Sequence, residues 1–216
     1  MILPFQSDLE VGSAIPQVER HLAHGGVLAY PTETVYGVGS LATDAGLDRL
    51  AALKGRPPRK PFLLLVSSTA MVEQIGLALN QAARVLAAEF WPGPLTLVLP
   101  GGEGRLPDRL RGAEGGIAVR WTSHRAIARL VAAMNRPLTS TSANLPGGPP
   151  APGPERIVEL FPEAVADGTL MVLDGGVLGN VPPSTLVDCT SSVPRLVREG
   201  AIPRDELRRR AGSMAP

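Results

Sequence analysis

The apolar residues of this chain follow two patterns that alternate along much of its length. Short continuous apolar runs, such as residues 27–30 and 62–66, are bounded by Gly, Pro or Ser and have the length of buried strands. Elsewhere apolar residues recur at helical spacing, as in Leu47, Leu50 and Leu53. The runs predict strands at residues 27–30, 62–66, 95–99, 116–121, 137–140, 170–173, 185–189 and 195–198.

Start and stop signals divide the segments between these runs into helices. Asn80 is suited to cap a helix that ends at Phe90, before a Trp-Pro-Gly-Pro sequence. Pro16 is interpreted as the first-turn proline of a short helix that stops at Gly25-Gly26. Asp44 is interpreted as the cap of the helix that carries Leu47 and Leu50. The helix that starts at Pro16 covers residues 16–24. Further helices are predicted at residues 70–77, 124–135, 155–161 and 202–210.

This order of elements indicates the fold class. Strands and helices alternate early and strands cluster late, which predicts one α/β domain over residues 1–216 with a core at about 15–205. We expect a twisted, mixed sheet with flanking helices around a positively charged cleft.

Composition excludes several function classes. The 216 residues are 44% hydrophobic, enough for one packed core, and the net charge of +1 provides no general attraction for nucleic acid. One cysteine excludes an internal disulfide, and the three histidines show no metal-ligand pattern, so no resident metal is expected. Residues 1–6 lack a basic start, and no apolar run is long enough for a membrane span, so we expect a cytoplasmic protein with no membrane contact.

Polar side chains gather where the predicted strands end. A single Ser or Thr at such a place is usually a turn or cap residue, but here hydroxyl and cationic clusters alternate along the chain. Hydroxyls beside fixed cations suit a phosphate or carboxylate ligand. Phosphate-loop, dinucleotide-binding and serine-nucleophile motifs are absent from the sequence. The clusters contain Thr32 and Thr34; Lys54, Arg56 and Lys60; Arg120; Ser140, Ser142 and Asn144; and Ser184 with Arg198.

Seven blocks in order resemble the YrdC/TsaC family, the threonylcarbamoyl-AMP synthases of tRNA modification, in its short form. Together they are far more specific than any one of them. They are residues 30–37 (YPTETVYG), 54–57 (KGRP), 91–96 (WPGPLT), 119–120 (VR) with His124, 141–144 (TSAN), 183–188 (PSTLVD) and 198–200 (REG).

The resemblance implies a reaction in which L-threonine, bicarbonate and ATP give threonylcarbamoyl-AMP, pyrophosphate and water. The product would pass to a tRNA-modifying transferase complex that makes N6-threonylcarbamoyladenosine, and weak direct contact with tRNA is possible in such a protein. Mg²⁺ would arrive with ATP and needs no protein cage.

The resemblance also implies residue roles. Threonine would be held by Thr32, Arg120 and Ser184, and ATP by Lys54, Arg56, Lys60, Ser140, Ser142, Asn144 and Arg198, with Lys54 and Arg56 as the catalytic cations. One departure is Leu65, which stands where some relatives have a histidine.

Two alternatives stay open at this stage. One is a double-stranded RNA or tRNA-binding module without catalysis, although low net charge and few aromatic residues argue against it. The other is a carbamoyl-transfer domain, since related modules occur within longer enzymes of that kind.

Overall fold

The computed structural model describes residues 1–55 and 61–211. Within them the strands are β1 (Ile2–Pro4), β2 (Val27–Tyr30), β3 (Gly37–Gly39), β4 (Leu63–Leu65), β5 (Leu95–Leu99), β6 (Ile117–Arg120), β7 (Leu138–Ser142), β8 (Leu170–Asp174), β9 (Thr185–Asp188) and β10 (Arg195–Arg198). The α-helices are α1 (Asp8–Ala23), α2 (Asp44–Lys54), α3 (Thr69–Gln74), α4 (Gln81–Phe90), α5 (Arg125–Met134), α6 (Pro154–Leu160), α7 (Pro162–Ala166) and α8 (Arg204–Ala211). A 3₁₀ turn lies at Asp108–Leu110.

The described strands form one ten-stranded sheet in the order β1-β8-β2-β3-β7-β4-β6-β5-β9-β10. Neighbours pair in parallel at β1–β8, β2–β8, β4–β6 and β5–β9, and antiparallel at the other five junctions. The predicted α/β class with a mixed sheet and flanking helices is therefore confirmed.

Helices cover the sheet through their apolar faces. Helix α1 packs on β1, β2 and α5, and α4 packs on β5 and α8. Buried residues of α1 lie at helical spacing (Val11, Ala14, Val18 and Leu22), as the pattern requires. No helix among residues 1–55 and 61–211 is long and apolar enough to cross a membrane.

The first helix begins eight residues earlier than the sequence predicted, at Asp8 instead of Pro16. Its true start is a capping box, in which the Ser7 hydroxyl accepts from Glu10 N and the Glu10 carboxylate accepts from Ser7 N. Pro16 lies inside the helix, where it has no N–H to donate to the carbonyl of Gly12, four residues before it. The cap and the buried face outweigh the cost of an internal proline, roughly 3 kcal/mol.

Two strands and one helix were missed. The strands are β1 and β3, and the helix is α7. β3 was missed because glycine is depleted in strands. A Cβ on Gly39 would lie 1.7 Å from the Thr139 carbonyl oxygen, so only glycine lets β3 approach β7 this closely. Helix α2 is capped by Thr43 rather than Asp44, and α3 ends at Gln74, before the predicted Leu77.

Candidate active site

The turn after β2 is shaped by its own threonine hydroxyls. Thr32 Oγ1 donates to the Val35 carbonyl at 2.7 Å and accepts from the backbone N–H groups of Thr34 and Val35. The hydroxyl oxygens of Thr32 and Thr34 also lie 3.0 Å apart. Both side chains are buried. Thr32 therefore builds the turn, and its contact with threonine stays a prediction.

Arg120 ends β6 and is only 4% exposed. Its Nε donates to the Gly93 carbonyl at 3.3 Å, and its Nη1 donates to Thr34 Oγ1 at 3.1 Å. Its Nη2 lies 2.9 Å from Glu33 Oε2. Arg120 is thus buried with an anionic partner, as required at this depth, because an unpaired buried cation would be costly.

Glu33 was not among the predicted site residues. Its carboxylate accepts hydrogen bonds from the Thr122 hydroxyl and, at 3.0 Å, from Ser123 N. Burial alone would raise the pKa of this carboxyl, but the Arg120 charge and these hydrogen bonds outweigh it and lower the pKa. The sequence held a signal for Glu33, since it is the acidic residue in the block that follows the buried strand β2.

Ser184 and Arg198 meet on the adjacent β9–β10 hairpin. The Ser184 hydroxyl lies 2.8 Å from Thr96 Oγ1 on β5, and Arg198 Nη2 donates to the Ser184 carbonyl at 2.9 Å. Burial, and after it the charge of Arg120, lower the pKa of the Arg198 guanidinium. The two guanidiniums are therefore close enough to repel one another, an arrangement that favours an anionic ligand.

Lys54 gathers a second group of predicted residues. It is the last residue of α2, and Gly55 ends the helix in the left-handed conformation with φ 53°. Lys54 Nζ donates to the Ser142 carbonyl and to Asn144 Oδ1, each at 2.8 Å, and to the Asn144 carbonyl. The Ser142 hydroxyl also donates to Asn144 Oδ1, at 2.7 Å. Three predicted ATP-binding residues thus lie together.

Tyr30 connects these two groups. Its hydroxyl donates to the Thr139 carbonyl at 3.0 Å. Burial raises the pKa of the Tyr30 hydroxyl, while a hydrogen bond with Ser140 and the charge of Arg120 act in the opposite direction. A Cβ on Gly37 would lie 3.0 Å from the Tyr30 ring and 3.1 Å from Ser140 Oγ, so glycine keeps this junction open. Ser140 therefore lies between the Arg120 and Lys54 groups.

Three further positions complete the comparison with the predicted site. Arg56 and Lys60 lie outside the described residues, so their roles stay predictions. Leu65 is 1% exposed and pairs in register with Arg120, where it contributes to the core and offers no polar contact.

His124, which precedes α5, belongs to one of the seven family motifs, but no role was predicted for it. Its backbone N–H donates to Thr122 Oγ1 at 3.2 Å, and its Nδ1 is buried with no hydrogen-bond partner among the described residues. Burial lowers the pKa of His124, and the nearby Glu33 charge opposes that shift. A neutral imidazole therefore borders the Glu33 contacts.

A family model described as Sua5/YciO/YrdC, telomere recombination, matches residues 20–200. The chain belongs to this family. Threonylcarbamoyl-AMP synthase of Chromohalobacter salexigens is 39% identical over 183 residues, which cover 84% of this chain and 96% of that protein. The enzyme of that name from Pyrococcus abyssi is 34% identical over 194 residues, 89% of this chain and 56% of that protein. The chain therefore spans nearly all of one relative and about half of the other.

A solved structure within the family matches the fold closely. The crystal structure of P. abyssi Sua5 complexed with L-threonine superposes with a TM-score of 0.89 at 31% identity, covering 99% of this chain and 62% of that one. The predicted resemblance is thus confirmed at the level of family and fold. The role of each site residue, and the positive charge of the cleft as a whole, stay predictions.

A groove of about 670 Å³ elsewhere on this family member does not contain the predicted site. Residues of α2, α6 and α7 and of the segments next to them line it, among them Arg49, Phe161 and Asp167. Large grooves are common ligand sites, but this lining lacks the clustered hydroxyls and buried cations found around Arg120 and Lys54. No group of three or more His, Cys, Asp or Glu residues in the described parts of the chain could hold a metal ion.

Proposed function

We propose that this protein is an L-threonylcarbamoyladenylate synthase, which makes threonylcarbamoyl-AMP and pyrophosphate from L-threonine, bicarbonate and ATP. The observation that carries the proposal is the 39% identity to a threonylcarbamoyl-AMP synthase of which the chain covers 96%. The buried, hydroxyl-lined cations are the second support, because ATP, bicarbonate and the threonine carboxylate all carry negative charge.

The chemistry mainly requires two anions to be held together. The threonine amine attacks bicarbonate-derived carbon, water leaves, and an N-carboxylate forms. An oxygen of that carboxylate then attacks the α-phosphorus of ATP, and the bond to pyrophosphate breaks. Fixed cations and hydroxyl donors that offset the repulsion and orient the two groups therefore contribute more than a strong base would.

We assign the Arg120 group to threonine and the Lys54 group to ATP. Arg120 would bind the threonine carboxylate, with Ser184 and Thr32 contributing hydroxyl contacts. Lys54 Nζ lies 2.8 Å from the Ser142 carbonyl, so we expect it to turn from this carbonyl towards phosphate when ATP binds. The remaining nucleotide contacts would come from Arg56, Lys60, Ser140, Ser142, Asn144 and Arg198.

The other participants follow from this reaction. Mg²⁺ would enter as the ATP complex, held by phosphate oxygens and water. The adenylate would be consumed by a transferase complex that modifies tRNA, with at most weak tRNA contact by this chain. Because that pathway uses cellular ATP and tRNA, we place the protein in the cytoplasm.

The test is a reaction with ATP, Mg²⁺, L-threonine and ¹³C-bicarbonate, analysed by mass spectrometry. We expect an adenylate that carries the ¹³C label of the bicarbonate. We also expect pyrophosphate release that requires threonine and bicarbonate together. Pyrophosphate release indifferent to threonine would contradict the proposal. RNA binding without turnover would favour the binding-module alternative, and turnover of carbamoyl phosphate would favour carbamoyl transfer.

A further inference from the structure

Glu33 is held in place by more than its ion pair with Arg120. Its Oε1 accepts from Ser123 N at 3.0 Å, and its Oε2 accepts from the Thr122 hydroxyl. Both donors belong to the segment that follows β6. The carboxylate is 19% exposed, against 5% for the Arg120 side chain. Glu33 therefore links the turn after β2 to the turn after β6 through contacts that do not involve Arg120.

Arg120 has donors left over once its own contacts are made. Nε and Nη1 donate to the Gly93 carbonyl and to Thr34 Oγ1. Nη2 lies 2.9 Å from Glu33 Oε2 and meets no other acceptor within the described residues. Because a guanidinium carries five N–H donors, these three contacts leave N–H groups on Nη1 and Nη2 for another acceptor.

The charge of Glu33 also offsets a repulsion. The Arg120 charge acts unfavourably on Arg198; Arg120 is buried, whereas Arg198 lies on the exposed strand β10. A fixed carboxylate beside one of them reduces the cost of keeping two cations together before any substrate arrives.

We propose that Glu33 is a positioning residue for the threonine site: it holds the Arg120 guanidinium ready to bind the substrate carboxylate and is not displaced by that carboxylate. This rests on the proposed function, because it takes L-threonine as the ligand of Arg120.

The test is Glu33→Gln, which keeps the length of the side chain and removes its charge. We expect the KM for threonine to rise about tenfold, since a charge-assisted contact that orients Arg120 is lost, while the KM for ATP changes less than about twofold. Threonine binding measured by calorimetry without ATP should weaken to the same degree. In the Arg120→Lys background Glu33→Gln should add little, because both changes act on one contact.

Asp188→Asn is a matched control. Asp188 accepts from Thr190 N at 2.9 Å and Thr190 Oγ1 at 2.7 Å, and pairs with Arg195 at 3.1 Å, so it repeats the Glu33 arrangement without contacting Arg120. We expect a comparable loss of thermal stability and an unchanged KM for threonine. A merely structural role for Glu33 would make the two variants behave alike.

The outcomes separate the two proposals. If the wild-type protein neither binds threonine nor forms the adenylate, the proposed function fails and the role of Glu33 falls with it. If the wild type binds threonine and Glu33→Gln binds it equally well or more tightly, the function stands and the positioning role is overturned. Should Glu33→Gln not fold, Glu33→Asp keeps the charge at shorter reach, and an unchanged KM for threonine in that variant would overturn the role.

Discussion

At the scale of single residues, the site depends on which groups contact the Arg120 guanidinium. Three of its neighbours, Gly93, Thr34 and Glu33, come from two separate segments, and each faces a different nitrogen of the guanidinium. A lysine ammonium is a point charge and cannot reproduce this planar set of contacts. The shape of the side chain therefore matters here as well as its charge.

Arg120→Lys tests this directly. Loss of one bidentate, charge-assisted contact should cost about 1.5–3 kcal/mol, roughly ten- to hundredfold in kcat/KM for threonine. The KM for ATP should change less. Steady-state pyrophosphate release, measured with each substrate varied in turn, gives both values.

Arg129→Lys is the matched control for that variant. Arg129 pairs with Asp8 at 3.7 Å with both side chains exposed, so the exchange should leave both KM values unchanged. If Arg120→Lys leaves the KM for threonine unchanged, the role of Arg120 is structural and the carboxylate site lies elsewhere, with Arg56 as the next candidate.

At the scale of elements, the β9–β10 hairpin is held by one buried hydroxyl. Thr185 Oγ1 accepts from Gly200 N at 3.0 Å and Ile202 N at 2.9 Å, and donates to the Ile202 carbonyl at 2.7 Å. Thr185 is fully buried. This contact ties the start of β9 to the segment after β10, and so positions Arg198 against Ser184.

Thr185→Val should leave those backbone groups buried without partners. We expect the free energy of unfolding to fall by roughly 2–4 kcal/mol, as measured by urea denaturation. Thr185→Ser retains the hydroxyl and should lose only about 1 kcal/mol, from the missing methyl group. Equal losses in the two variants would show that packing, and not hydrogen bonding, holds the hairpin.

At the scale of the whole molecule, sheet twist brings the site together. β2 and β6 run in opposite directions, so in a flat sheet Tyr30 and Arg120 would lie near opposite edges. The Arg120–Thr34 hydrogen bond shows that these ends meet. Four steps separate the two strands, and about 20–25° of twist at each step turns them by about 80–100° in total.

The acid stability of the molecule should depend on Glu33. Its pKa is lowered in the folded state by Arg120, Thr122 and Ser123 against the effect of burial, so its contribution is complete above the ordinary value of 4.5 and is lost as pH falls through the folded value. Glu33→Gln should therefore be less stable than wild type at pH 7, by roughly 1–3 kcal/mol. The gap should shrink below pH 4.5.

Urea midpoints across this pH range provide the measurement. Among the described residues, the charged and titratable groups that act on Glu33 are Arg120 and His124, and the lowered pKa of His124 weakens the fold as pH falls below 6.5. Wild type and Glu33→Gln are therefore compared at the same pH at every point, so that the weakening shared by both proteins cancels. A gap that does not vary with pH would mean that Glu33 contributes through packing alone.

Local patterns determined most of the elements of this protein. Apolar runs placed the eight predicted strands, because a buried strand needs nothing beyond continuous apolar residues and a stop. The helix from Asn80 to Phe90 was predicted correctly, because its cap and its terminator are both sequence-local. The first helix was placed wrongly, because Pro16 is an equally good starting signal when the Ser7–Glu10 box is overlooked.

For the site as well, the sequence determined one part and the tertiary structure another. The family motifs identified Arg120, Lys54, Ser142 and Ser184 one by one, since each motif is continuous in sequence. Which strand ends come together is decided by the strand order and mixed strand direction of the sheet, and by its accumulated twist. Glu33 becomes a partner of Arg120 only in the folded chain: the two are far apart in sequence, and the pairing depends on strand order, which no local pattern encodes.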